Sequence, residues 1–395
     1  MGHLSKKTII GIRKQVAPGA FLLPGLTDLI AVSQPGNEAQ PITAEDPTLT
    51  GSVWTRPPAY LGATASIPFT YSVRGPGPGG LTADNWVFGR VLQAMGFAEI
   101  VTAAAITGTA QANADQSAIV LAAGSSAVDD FYLGMPIQHS GLGAATGFKD
   151  YAAIYDYDGA TKKALIADTA TSAIAAGTYT IPPHLLYLLG TGANLPLLSV
   201  SVWRDQLRYD YFDCTVASLA RAIPVANQQN TELPTLTATL VGREVNQEPV
   251  ADPAPTPSDT LLLPPPPAKN GKFTFNKARI GHANLGIDFS NETGYQPNQN
   301  NFDGQEAAEL LSGTRSVTLD INQSDRPATL RALRENQTSI PIASIYGLGV
   351  GNRFVDLLPS VVLHPFSPTD RNGFIGLQGN AYQDKVDKSV ALAIF

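Results

Sequence analysis

The sequence contains a single cysteine, Cys214, among 395 residues. One thiol excludes an intramolecular disulfide and a zinc site built from several cysteines, and it favours synthesis in a reducing cytoplasm. Charged residues are also few, at 15% against 44% hydrophobic residues, and this composition argues against disorder. No apolar run approaches the roughly 18 residues of a membrane span, and the start, MGHLSKKTII, lacks the apolar segment of a signal peptide. We therefore expect no membrane anchor.

Basic residues are in deficit as well. With 26 Lys and Arg against 33 Asp and Glu, the net charge is −7. Nonspecific DNA binding gains its free energy mainly from basic side chains that neutralise phosphates, and this chain has no surplus of them. We expect the protein to repel DNA rather than bind it. The 30 prolines and 36 glycines, in contrast, predict many turns and few long helices.

The stretch IYDYDGATKKALI, residues 154–166, has acidic residues at a spacing that suggests a calcium loop. If Gly159 were sixth in an EF-hand loop, Ile154 would be first and Leu165 twelfth, where that loop needs oxygen ligands. Asp158-Gly159 between two strand-like runs instead predicts a two-residue hairpin turn in which glycine adopts a positive φ. We interpret the stretch as a turn.

Catalytic motifs are equally scarce. Asp129 and Asp130 are adjacent, so in a strand they would point to opposite faces and could not easily share one site. The stretch RGPGPGGLTADN lacks the Gly-Lys-Ser/Thr ending of a phosphate loop, and the five histidines have no metal-ligand spacing. Cys214 has strand spacing with Phe212 and Val216, which predicts a small buried hydrophobe. We expect no enzymatic activity, no cofactor and no metal site.

A proline-rich stretch, residues 249–270, predicts a semi-rigid linker. The order strand, helix, hairpin, strand occurs on both sides of it. The sequence therefore predicts an internal duplication, with a first domain in residues 1–103 and 185–248 and a second domain in residues 271–395.

The helices and the last strand of this repeat carry specific predictions. The first helix is capped by Thr82 and ends at Gly96, with an inward stripe that comprises Trp86, Val87, Val91, Leu92 and Met95. The second helix is capped by Ser324 or Asp325, has Pro327 near its start, and directs Leu330 and Leu333 inward. The closing strand, KSVALAIF, alternates through Val390, Leu392 and Ile394.

Residues 104–184 differ in composition, being rich in Ala, Thr, Gly and Ser with short strand-like runs. We interpret them as a small β domain inserted into a loop of the first repeat, where insertions are tolerated. The segment contains seven aspartates and three lysines, so it carries −4 of the net charge.

The run RPPAYLGATASIPFTYSVRG, followed by NWVFGRVLQAMGFAE, resembles the front of tail tube proteins from long, non-contractile-tailed bacteriophages. LPLLSVSVWRDQLRYDYFDCTVASLARAI, LPTLTATLVGREV, GTRSVTLDINQ and DRNGFIGLQGNAYQ resemble later strands of that family. The inserted segment resembles a small β module of phage virion proteins through SAVDDFYLGMPIQ and YDYDGATKKALI. The resemblance implies a mainly β fold with two tandem tail-tube-type β-barrel or sandwich domains, each with one short helix.

The same resemblance implies a virion tail protein, made in the host cytoplasm, whose copies form helically stacked rings. Family members mostly form sixfold rings from one domain per chain. Two domains per chain would make trimeric rings with pseudo-sixfold symmetry, with hexameric rings as the alternative. Further implied partners are a tape measure protein and tail terminator or tip proteins, and double-stranded DNA would pass through the lumen without specific binding.

Stacking of rings needs loops or arms, and two polar segments are candidates, residues 33–51 and 290–305. The candidate inter-ring residues in them are Glu38, Asp46, Asn291, Tyr295, Asn298 and Asp303. Two other functions remain open from the sequence. The chain could be another β-rich virion component, such as a tail-completion or decoration protein, or the inserted segment could bind carbohydrate.

Overall fold

The computed structural model describes residues 8–33, 35–45, 58–143, 148–190, 195–227, 230–251, 263–269, 271–294, 309–322, 328–371, 374–383 and 390–395. Strands dominate these residues, and the predicted mainly β fold is confirmed. The strands of the first half are β1 Thr8–Lys14, β2 Leu29–Ile30, β3 Glu38–Ala44, β4 Ala59–Ser72, β5 Phe97–Thr102, β12 His184–Leu189, β13 Leu198–Arg204, β14 Leu207–Pro224 and β15 Thr235–Pro249. Those between β5 and β12 are β6 Ile106–Ala110, β7 Ala118–Val120, β8 Pro136–His139, β9 Tyr151–Asp158, β10 Lys163–Ile166 and β11 Gly177–Ile181.

The second half contains β16 Lys272–Phe275, β17 Ala278–Arg279, β18 His282–Gly294, β19 Glu309–Asn322, β20 Ile340–Gly347, β21 Arg353–Arg371, β22 Phe374–Gln383 and β23 Ala391–Ile394. Two α-helices are described, α1 Val87–Ala94 and α2 Leu330–Glu335, together with 3-10 turns at Leu26–Asp28 and Ser140–Leu142. Neither described helix has the length and apolar character needed to cross a membrane.

One sheet of 17 strands, β1–β5 and β12–β23, runs through both halves of the chain. In the first half β3 pairs with β4, β4 with β15, β15 with β14, β14 with β13, and β13 with β1. In the second half β18 pairs with β19, β19 with β22, β22 with β21, β21 with β20, and β20 with β16. All pairs are antiparallel, and the two series follow the same chain order. Strand, helix, hairpin and strand therefore occur twice in the structure as well as in the sequence.

The same irregularity in strand pairing occurs in both halves. The register of β3 on β4 shifts between Ile42 and Thr43, and that of β18 on β19 shifts between Glu292 and Thr293, which is 250 positions later. A bulge inserts a residue and bends the strand, so its recurrence at one position is a structural feature of the repeat.

The main core lies between the strands of this sheet and α1. All five residues of the predicted stripe, from Trp86 to Met95, are buried, and Gly96 follows the helix with a φ of +111°. The predicted cap at Thr82 is wrong, because the helix begins after Trp86 and no side chain caps it. In α2, Leu330 is buried and Leu333 packs against the core, as predicted, whereas Ser324, Asp325 and Pro327 lie outside the described residues.

The strands β6–β11 form a separate six-stranded sheet, within the range predicted for the insertion. Its core continues into the main sheet of the second half, where Val355 and Leu357 of β21 and Ala391 and Ala393 of β23 join it. Strand β23 is consequently buried on both faces. The predicted alternation of Val390, Leu392 and Ile394 is correct for one face, but the opposite face is covered as well.

The stretch at Asp158-Gly159 is a turn, as predicted, but of a different type. Asp158 pairs with Lys163, so the loop has four residues, and the positive φ of 57° falls on Lys162. The Asp158 carboxylate accepts hydrogen bonds from the backbone N–H of Ala160 at 2.8 Å and from the Thr161 hydroxyl at 2.8 Å. Glycine is needed at 159 because a Cβ there would collide with the Ala127 carbonyl.

Candidate assembly surface

The two halves of the chain meet strand to strand. The C-terminal part of β14, Ser218–Pro224, pairs with Asn284–Ser290 of β18 over seven residue pairs. On its other edge the same part of β14 pairs with β15. We call the β14–β18 pairing the intrachain junction, because it joins the first repeat to the second and makes their sheets continuous.

A buried ion pair reinforces the intrachain junction on the core side. Arg221 of β14 donates from Nε and Nη2 to the two carboxylate oxygens of Asp356 on β21, the second contact being 2.8 Å. The Tyr346 hydroxyl accepts from Nη2 as well, and all three side chains are buried. Burial raises the pKa of Asp356, while Arg221 acts in the opposite direction. Bidentate geometry of this kind fixes orientation as well as charge.

The opposite face of the joined sheet is made mainly of small side chains, most of them polar. The register aligns Thr70, Thr237, Ala220, Asp288 and Ser316 in one row across β4, β15, β14, β18 and β19. The next row contains Ser72, Thr235, Ala222, Gly286, Thr318 and Asn380. We call the surface formed by these alternating residues of 66–72, 235–241, 218–224, 284–290, 316–322 and 376–382 the polar face.

The polar face has few charges. Among its residues within those six ranges there is no lysine or arginine, and the only charged residues are Asp288 and Asp320. The single arginine of the ranges, Arg221, lies at a core-facing position. Partial burial raises the pKa of the Asp288 carboxyl. Hydroxyls and amides give this surface hydrogen-bonding capacity without the positive charge that would hold a polyanion.

The inserted sheet is fixed to the second half by a buried charge network. Lys272 of β16 donates to Asp168 Oδ2 at 2.7 Å and to the carbonyls of Lys149, at 2.9 Å, and Tyr151. Arg279 of β17 donates to the same carboxylate at 2.8 and 3.0 Å. Burial lowers the pKa of Lys272, and Asp168 opposes that effect. The segment inserted in the first repeat therefore packs against the second.

Of the candidate inter-ring residues, the structure places two. Glu38 begins β3, where its backbone pairs with Ser66. Asn291 lies on β18, and its amide contacts Sδ of Met95 at 3.2 Å, next to the end of α1 in the same chain. Asp46, Tyr295, Asn298 and Asp303 lie outside the described residues, and the inter-ring role of all six stays a prediction.

The residues of the intrachain junction were not singled out from the sequence. Alternation in TLTATL and SVTLDIN gives the two faces of β15 and β19, but it does not show which strand lies beside them. Arg221 and Asp356 are 135 positions apart, and no local pattern links them.

No family model matches the chain, and no curated protein is significantly similar to it. The function is therefore inferred from the strand arrangement and the chemistry of the polar face, together with the sequence resemblance.

Proposed function

We propose that the protein is a tail tube subunit whose copies form stacked rings, and that the polar face lines a conduit for double-stranded DNA. The observation that carries the proposal is the polar face itself, which crosses the intrachain junction and has no lysine or arginine among its residues. DNA that must slide through a tube is retained by each basic side chain that neutralises a phosphate. A lining of hydroxyls, amides and two carboxylates avoids this retention.

The duplicated topology supports the stoichiometry expected from the sequence. Each chain supplies two copies of the same five strand pairings. Three chains would then complete a ring with pseudo-sixfold symmetry. The resemblance further implies a tape measure protein and tail terminator or tip proteins as partners.

Cysteine accessibility tests the orientation of the polar face. Thr237 is exposed on that face and Ala123 is exposed in a turn after β7 of the inserted segment, whereas the native Cys214 is buried and should give little background. Electron micrographs of purified Thr237→Cys and Ala123→Cys proteins should show tubes. In those tubes a bulky polymer-linked maleimide should label Ala123→Cys fully but Thr237→Cys poorly, while both react before assembly.

Two results would contradict the proposal. Absence of tubes at every protein concentration and ionic strength would remove the tube function. Tubes in which Thr237→Cys reacts as fast as Ala123→Cys would place the polar face outside the conduit. Mass measurement of isolated rings separates three chains from six.

A further inference from the structure

In the second repeat, the strand equivalent to β14 is β21, and part of it has an edge that pairs with no described strand. Over His364–Thr369, β21 pairs with β22 on one edge, and no strand among the described residues pairs with its other edge. At the corresponding place in the first repeat, β14 has both neighbours. Ser367 and Pro368 are exposed accordingly, whereas Ala220 is half-buried and Arg221 is buried.

The first repeat has the matching open strand. Strand β3 pairs with β4 on one edge, and no other described strand pairs with it, whereas its counterpart β18 pairs with both β19 and β14. Ala39, Gln40 and Thr43 on β3 are exposed. Among the described residues, the main sheet thus has an open edge at β3 and another at β21, and each is the repeat counterpart of one strand of the intrachain junction.

We infer that β21 of one chain pairs antiparallel with β3 of a second copy, in the register of the intrachain junction. A row of core-facing residues gives the alignment of β21, since Leu219, Ala238 and Phe69 correspond to Phe366, Gly379 and Leu319. Ala220 therefore corresponds to Ser367. Asp288 pairs with Ser316 in the second repeat as Glu38 pairs with Ser66 in the first, so Asp288 corresponds to Glu38. The Ala220–Asp288 pair of the intrachain junction therefore predicts a Ser367–Glu38 pair between chains.

Both open edges contain prolines, which restrict how a further strand can pair with them. Unpaired strand edges template further pairing, and proteins restrict wrong pairing with prolines and bulges. Pro365 and Pro368 lie on the open part of β21, and proline in sheets is confined mainly to edge strands and bulges. A head-to-tail contact between two different edges of one chain closes into a ring when the rotation permits. The inference rests on the proposed function for this ring closure.

Disulfide trapping tests the register. Antiparallel partners have Cα atoms about 4.5–5.5 Å apart, within the range that a disulfide bridges. We expect Glu38→Cys protein mixed with Ser367→Cys protein to form intermolecular disulfides on mild oxidation, and the double variant to give closed covalent oligomers. Ala220→Cys with Asp288→Cys is the matched positive control, since the same pair exists within one chain and should form an intramolecular bond.

The register control is Glu38→Cys with Thr369→Cys, which lies two residues out of register on the same face, and it should cross-link several-fold more slowly. Equal rates for the two combinations would overturn the register. If the Ala220–Asp288 control oxidises and Glu38–Ser367 stays reduced in assembled tubes, the junction is wrong although the tube function stands. Covalent rings that never stack into tubes would keep the junction and remove the tube function.

Discussion

The two repeats share five strand pairings but differ in what covers them. In the first repeat β14 pairs with β15 on one edge and with β18 on the other, whereas the equivalent part of β21 pairs with β22 and has no described strand on its other edge. The segments that pack on equivalent strands differ too. In the first repeat the backbone N–H groups of Gly19 and Leu22 donate to Asp213 on β14 and Ser199 on β13. In the second repeat the inserted sheet packs on the equivalent strands, β21 and β20.

This difference bears on the proposed assembly. The β14–β18 junction is made inside the chain and is therefore independent of protein concentration, whereas in the proposed ring the equivalent junction would be made with a neighbouring copy. The inserted sheet adds a second connection between the repeats, since it leaves the first repeat after β5 and packs on β20, β21 and β23. Strand β12 then pairs with β23 and returns the chain to the main sheet.

The largest effect is expected from breaking the buried contact at the intrachain junction. Asp356→Ala leaves the Arg221 guanidinium buried without its partner, and loss of one member of a buried pair costs about 3–5 kcal/mol of unfolding free energy. Urea unfolding measures the loss. Replacing both residues, as Arg221→Met with Asp356→Leu, should recover much of it, because no uncompensated charge remains.

The matched control for that substitution is Glu335→Ala in α2, which removes an exposed ion pair with Arg331 and should change the stability little. A similar small change for Asp356→Ala would mean that Arg221 and Asp356 do not hold the repeats together.

A smaller effect is expected at the contact between the inserted sheet and the second repeat. Lys272→Met removes the ammonium donor from the carbonyls of Tyr151 and Lys149, of which only Lys149 keeps a longer contact, at 3.5 Å, with Arg279. Asp168 keeps Arg279, and lost buried hydrogen bonds cost about 1–3 kcal/mol. Hydrogen exchange should increase in β9 and β16 and stay unchanged in β3 and β4. Lys277→Met is the control, since it removes a cation–π contact with Tyr155 worth about 0.5–1 kcal/mol. Equal exchange in the two variants would contradict a fixing role for Lys272.

The sequence predicts the local features of this fold and misses the contacts between distant segments. Periodicity located both helices and the buried position of Cys214, because each depends on neighbours a few residues away. It placed a cap at Thr82, but the helix begins after Trp86, whose ring packs on Phe88 and Tyr187. The double burial of β23 and the contact of Lys272 with Asp168, 104 positions away, depend on where the inserted sheet docks, which no local pattern encodes.

The smallest effect on the free energy of unfolding is expected from a change of pH that protonates His184 on β12, the strand that pairs with β23. His184 begins β12 and is buried, and its Nδ1 lies 2.7 Å from the Pro182 carbonyl. Since a carbonyl only accepts, Nδ1 carries the proton, and Nε2 accepts from the Thr102 hydroxyl at 3.3 Å. Burial disfavours the charged ring and lowers the pKa of His184 below its ordinary value of 6.5.

A lowered pKa means that the unfolded chain binds the proton more tightly than the folded chain. The contribution of neutral His184 is therefore complete above about pH 6.5 and is lost as the pH falls toward the folded pKa. Unfolding midpoints in urea should decrease from pH 8 to pH 5 in the wild type, and His184→Asn should decrease less over the same interval. An unchanged slope in the variant would show that acid weakens the pairing of the two repeats elsewhere, with buried His139 of the inserted sheet as the next residue to replace.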